Sequence, residues 1–126
     1  MSTLVIDTIQ GKTTAGSINV RGEGSNNTNL QQGLAKAFNN TNSAGTSIND
    51  SFNISSLGDS GSGRQRDCFT YNMASANYSG VFEPTDVTNA AHRWVSKVST
   101  HCDTNIYSGS SYVDGALGMH TVGDLA

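Results

Sequence analysis

Turn-forming residues recur so densely along this chain that few uninterrupted stretches are left for a helix of several turns. The sequence holds 17 Ser, 13 Asn and 14 Gly, which supply turns, and 13 Thr, which suits strands. With a single Pro and almost no stretch rich in Ala, Glu, Lys and Leu, long helices lack support and short strands between many turns are favoured. The expectation is an all-β fold, a small antiparallel sandwich or open barrel, preceded by an extended N-terminal strand arm. A length of 126 residues suits one core of ordinary size.

The strand patterns can be followed along the chain. A β-branched run from Leu4 to Ile9 is followed by turn-like Gly11-Lys12 and Ala15-Gly16, then by a short strand pattern at Ile18 and Val20. From Arg21 to Asn29 no large apolar residue occurs, so this stretch cannot build a core and reads as a hinge or exposed loop. Residues 1–29 are therefore read as arm and hinge, and 30–126 as a single β-rich domain. The apolar arm residues Leu4, Val5, Ile6, Ile9, Ile18 and Val20 are candidates for pairing with another chain.

Between Asn29 and Phe38, Leu30, Leu34, Ala37 and Phe38 recur at helical spacing, with Gly33 weakening a helix there. Next, Ile48, Phe52 and Ile54 share one parity of a half-buried strand, and the turn at Gly58 to Gly63 follows. Beyond that turn, Phe69, Tyr71 and Met73 alternate against Cys68, Thr70 and Asn72, which predicts an antiparallel return with Phe52, Ile54, Phe69 and Tyr71 in the core. Further strands are expected at Tyr78 to Glu83, Ala91 to Ser99, Tyr107 to Val113 and Leu117 to Val122.

Chemistry-bearing motifs are weak. Gly11-Lys12-Thr13 echoes the end of a phosphate-binding loop, but Ile6 stands where that loop needs its first Gly, and a turn explains the segment better. His101, Cys102 and Asp103 are adjacent, so on a strand they point to opposite faces and do not readily share a metal. Asp59 with Ser60, Gly61 and Ser62 is a calcium-loop echo lacking the second carboxylate and the closing Glu. Gly61-Ser62-Gly63 sits in a polar turn, not in the strand-to-helix elbow that a catalytic Ser occupies, and His92, His101 and His120 find no evident triad partner. No catalytic residue, metal or cofactor is expected. Trp94, Tyr71, Tyr78, Tyr107 and Tyr112 could line a sugar-binding surface, although packing in a core is the commoner use of aromatics.

A net charge of −3 leaves no basic field for nucleic acid, Arg64 and Arg66 being the closest basic pair. No apolar run reaches the roughly 18 residues that span a bilayer. The start, MSTLVIDTIQ, has no basic segment leading into an apolar one, so cytoplasmic synthesis is expected. Cys68 and Cys102 can be two thiols or one bridge.

Four stretches occur together: MSTLVIDTIQGKTTAG at 1–16, NLQQGLAKAF at 29–38, SFNISSLGDSGSG at 51–63 and FTYNMASANYS at 69–79. In this order they resemble short tail-fibre-like and virion structural proteins of tailed phages that infect marine bacteria and cyanobacteria. The resemblance covers roughly the first two thirds of the chain and brings no catalytic residue with it. The chain departs from that pattern with Arg64-Gln65-Arg66 after the glycine turn, where the family has an acidic or aromatic start, and with Phe38 where the family carries a Trp. The resemblance implies a strand over Leu34 to Phe38 in place of the helix that the spacing allows. It further implies a virion location and a non-enzymatic structural role, as a capsid decoration or cement protein or as a short tail or vertex appendage. The expected partners are a second and third copy of the chain in a homotrimer and the major capsid or tail proteins; a host glycan is the alternative, in a host-attachment module. A chain this short without a repetitive shaft leans toward decoration or a short appendage.

Overall fold

The computed structural model describes residues 3–12, 17–21, 24–84, 87 and 90–126, excepting the side chain of Gln32. The chain divides into two compact units, Met1–Leu34 and Ala35–Ala126. The division falls after Leu34, where the sequence reading set it after Asn29.

In the first unit, β1 (Asn19–Arg21) pairs antiparallel with β2 (Asn27–Asn29), and one helical turn, α1 (Leu30–Gly33), follows. Leu30 donates its backbone N–H to the Ile18 carbonyl at 2.9 Å. The hinge reading of Arg21 to Asn29 is corrected at both ends, because Arg21 and residues 27–29 belong to this ribbon. Residues 4–9, expected as a strand, take no strand conformation, since a β-branched run forms a ladder only where a partner strand offers its edge. Lys12 and Gly11 are exposed outside any strand, while Thr13 and the Ala15-Gly16 turn lie outside the described residues.

The second unit is an all-β antiparallel sandwich and not a closed barrel. One sheet has the order β4 (Ile48–Phe52), β3 (Ala35–Thr41), β11 (Leu117–Val122), β7 (Ser79–Pro84). The other is built on β9 (His101–Ser108), which lies beside β8 (Ala90–Lys97) on one edge. On its other edge β9 meets β6 (Arg64–Phe69) at residues 101–105 and β10 (Ser111–Tyr112) at 107–108, and β5 (Ile54–Asp59) pairs with the far side of β6. Hairpins join β3 to β4, β5 to β6, β8 to β9 and β9 to β10; the remaining connections pass between the sheets.

Alternation decides which residues face inward. Ala37, Asn39 and Thr41 of β3, Leu117, Met119 and Thr121 of β11, Gln65, Asp67 and Phe69 of β6, and Cys102, Thr104 and Ile106 of β9 are all buried. A run of edge-to-face rings continues this core: Phe69 to Tyr78 at 5.6 Å, Tyr78 to Trp94 at 6.3 Å, Trp94 to Phe82 at 5.0 Å and Phe82 to His92 at 4.7 Å. The long central strand β9 escapes a hydrophobicity reading because two of its most buried inward side chains, Cys102 and Thr104, are small and weakly apolar. The strand expected at Tyr107 to Val113 is instead the end of β9, a turn at 109–110 and β10.

The expected continuous strand through Phe52 and Ile54 breaks at Asn53, which has φ of 59°. An L-residue in this left-handed region turns the chain, and Asn tolerates it because its short amide bonds locally. Here Asn53 Nδ2 donates to the Lys36 and Tyr71 carbonyls at 2.9 and 3.0 Å, and its Oδ1 accepts from Tyr71 N–H at 2.6 Å. The corner carries the chain from β4 in one sheet to β5 in the other and reverses the expected parity. Ile54 and Phe69 are core residues, but Phe52 is 51% and Tyr71 69% exposed.

Gly63 closes the β5–β6 hairpin at φ 65° with no space for a side chain, since a Cβ there would lie 2.7 Å from both the Ile106 carbonyl oxygen and Val113 N. Asp59 caps the same turn by accepting Gly61 N–H at 2.7 Å, and Asp114 accepts Gly63 N–H at 2.6 Å. The carboxylate of the calcium-loop echo is thus engaged in turn closure.

Candidate functional site

The β3–β4, β3–β11 and β11–β7 registers assemble a surface on the outer face of the four-stranded sheet. Phe52 lies opposite Phe38, Phe38 opposite His120, and His120 opposite Val81, making one row across four strands. One step along the strands, Asp50, Asn40, Gly118 and Glu83 make a second row in the same manner. Cross-strand partners share a face, so both rows point away from the core. The first row is apolar and aromatic, with Phe38 and Phe52 stacked at 6.4 Å and 25°. The second is polar, ends in a carboxylate on either side, and has no side chain at Gly118.

A trough of about 690 Å³ includes Gly118 in its lining and is bordered by Phe38, Asp50, Glu83, His120 and, from the other sheet, His92. Such a volume lies within the range of roughly 300–1,000 Å³ usual for small-molecule sites. Asn40 Oδ1 accepts from Asn49 Nδ2 at 3.3 Å, which orients its amide along the rim. The sequence reading missed this surface because its members come from four strands distant in sequence. The signal within each strand was period-two alternation, with Phe38 and Phe52 on what proves to be the solvent side.

The aromatics proposed from sequence as a sugar surface are not brought together. Tyr78 is buried and Trp94 packs between Phe82 and Tyr78. Tyr107 and Tyr112 stack on the outer face of the other sheet with their hydroxyls 2.8 Å apart, and Tyr71 stands alone in exposure at the Asn53 corner.

On the same outer face as the tyrosines, Arg66 forms a two-pronged ion pair with Asp103, Nε to Oδ1 at 2.7 Å and Nη2 to Oδ2 at 3.0 Å. The guanidinium holds the Asp103 carboxyl below its ordinary range. Cys102 points the opposite way into the core, 3.3 Å from Met119 Sδ, and its burial pushes the thiol pKa far up; Cys68 and Cys102 are both free. Among the described residues no group of three or more His, Cys, Asp or Glu gathers as metal ligands.

Inside the sandwich, Asp67 is fully buried and its Oδ1 accepts from Asn39 Nδ2 at 2.5 Å and Gln65 Nε2 at 2.9 Å. Among the described residues, Asp67 Oδ2, Asn39 Oδ1 and Gln65 Oε1 find no hydrogen-bond partner. Desolvation raises the Asp67 pKa to about 6 against the lowering effect of the two amides. This carboxyl is closed off from solvent and acts on the stability of the core.

The arm candidates are open to solvent. Leu4 is 80%, Val5 86%, Ile6 48%, Ile9 55% and Val20 48% exposed, and Ile18 is half-buried. No family model, curated protein or solved structure matches this chain.

Proposed function

We propose that the chain is a non-enzymatic structural protein that enters a larger assembly through its N-terminal segment. The observation that supports this reading is the exposure of the aliphatic run from Leu4 to Ile9, four large apolar side chains in six residues left to water. Exposed apolar runs of this kind are costly unless another chain covers them. The sequence resemblance supplies the particular assembly, a tailed-phage virion, with the chain as a capsid decoration or cement protein or a short tail or vertex appendage. Symmetric self-association, expected as a trimer, is the economical way for a small domain to bury such segments.

The test is sedimentation of the full chain and of a form lacking residues 1–29, together with incorporation of each into particles. The full chain is expected to associate at micromolar concentration and the shortened one to remain monomeric and absent from particles. Equal incorporation of both would refute the arm reading.

A second reading, a carbohydrate-binding host-attachment module, is favoured by the trough on the outer face of the four-stranded sheet. It combines the Phe38 ring, backed by Phe52 beside it, with carboxylate and amide groups in a concavity of ligand size.

A further inference from the structure

Resting on the carbohydrate reading, we propose that the trough binds a neutral, hydroxyl-rich saccharide laid across the strands, with Gly118 as the notch that receives a sugar ring. Three features of the surface select this ligand class.

The first is charge. Asp50 and Glu83 stand at opposite ends of the polar row, and among the described residues no Lys or Arg borders the trough. Carboxylates only accept hydrogen bonds, so they suit the donating hydroxyls of a neutral sugar and repel a uronate, sialate or sulfated ring. The second is the pairing of an apolar row with a polar one. A pyranose has C–H faces and a hydroxyl rim; Phe38 and Val81 offer surface to the former, with Phe52 stacked behind Phe38, while Asp50, Asn40 and Glu83 offer partners to the latter. The third is length: four strands at about 4.8 Å spacing give roughly 14 Å from β4 to β7, enough for a di- or trisaccharide.

Gly118 also provides a test that spares the fold. Its φ is not in the left-handed region, and a Cβ there would meet only the Glu83 carbonyl oxygen at 3.7 Å, an ordinary contact. A β-branched side chain is at home in the middle of a strand, so Gly118→Val fills the notch without straining β11.

The experiment titrates the full-length chain with neutral gluco-, manno- and N-acetylchito-oligosaccharides and with oligogalacturonates, following amide shifts by NMR. A neutral series is expected to shift the amides of Asn40, Val81 and Gly118, with oligogalacturonates binding at least about tenfold more weakly because the sugar carboxylate would face the like charges of Asp50 and Glu83 with no cation beside them. Gly118→Val should abolish those shifts while keeping the dispersed spectrum and the thermal midpoint, and Asp50→Asn should weaken binding severalfold without blocking it. Binding that survives Gly118→Val, or shifts centred on Tyr107 and Tyr112, would overturn the trough as the site and leave the carbohydrate reading standing. Preference for the oligogalacturonates would overturn the neutral class. Absence of binding by every saccharide would overturn both, as would a concentration-dependent dimer that Gly118→Val disrupts, since a second copy of the chain would then be the occupant.

Discussion

Asp67 has two amide donors on one oxygen and none on the other, and its neighbours Asn39 and Gln65 each keep an unpartnered carbonyl oxygen. A proton on Asp67 adds a donor to a cluster with surplus acceptors, while ionisation leaves a charge where water cannot reach it. With a pKa near 6 against an ordinary 3.8, the folded chain binds this proton more tightly than the unfolded chain. Its contribution to stability is therefore present at low pH and disappears as pH rises from about 4 to 6, an effect on the order of 3 kcal/mol. Asp103, held low by Arg66, acts in the opposite sense and at lower pH, losing its contribution as pH falls. Urea midpoints are expected to drop between pH 4.5 and 7 in the parent protein and to stay level in Asp67→Asn. A parent protein with no such drop would show that the carboxyl is hydrated. The same scale separates two phenylalanines that the sequence treated alike. Phe69→Ala should cost about 3–5 kcal/mol, whereas Phe52→Ala, half in water, should cost under about 1.5 kcal/mol in thermal unfolding.

Among the elements, β11 was legible over its full length from Leu117 to Val122, because Leu117, Met119 and Thr121 alternate with exposed or half-exposed residues and turn formers bound the run. The β5–β6 hairpin was equally plain from its glycine-rich turn. Asn53 was not legible as a corner, since period-two alternation carries no mark of a left-handed residue. Its side chain joins the backbone at Lys36 and Tyr71, three hydrogen bonds that hold β3, the β4–β5 corner and the end of β6 together. Asn53→Gly keeps the backbone conformation and loses the bonds; Asn53→Ala loses both. Calorimetry should show both variants destabilised, by about 2–4 kcal/mol for Ala and about 1 kcal/mol less for Gly. Equal stability of the two would mean that the positive φ carries no strain.

For the whole molecule, every member of the hydrophobic core cluster lies in the unit Ala35–Ala126. Removal of residues 1–34 is therefore expected to leave the far-UV circular dichroism of the sandwich and to move its thermal midpoint by only a few degrees, while association is lost. A shortened chain that unfolds outright would make the first unit part of the fold rather than the assembling segment.

The amino-acid sequence by itself determined the class of fold. Turn formers at short intervals, sparse helix formers and period-two alternation leave antiparallel strands as the way to bury this much small and weakly apolar surface. It also marked the N-terminal run as apolar without a core of its own. Only the tertiary structure decided that Phe52 of β4 faces away from the core while Ile54 of β5 faces into it, because the residue of positive φ at Asn53 turns the chain between them from one sheet to the other. Tertiary structure alone joined Phe52, Phe38, His120 and Val81 into a row, and set Asp50 and Glu83 at the ends of another. Cross-strand register is a relation among distant segments, fixed by how two sheets close over a shared core, and no single segment encodes it.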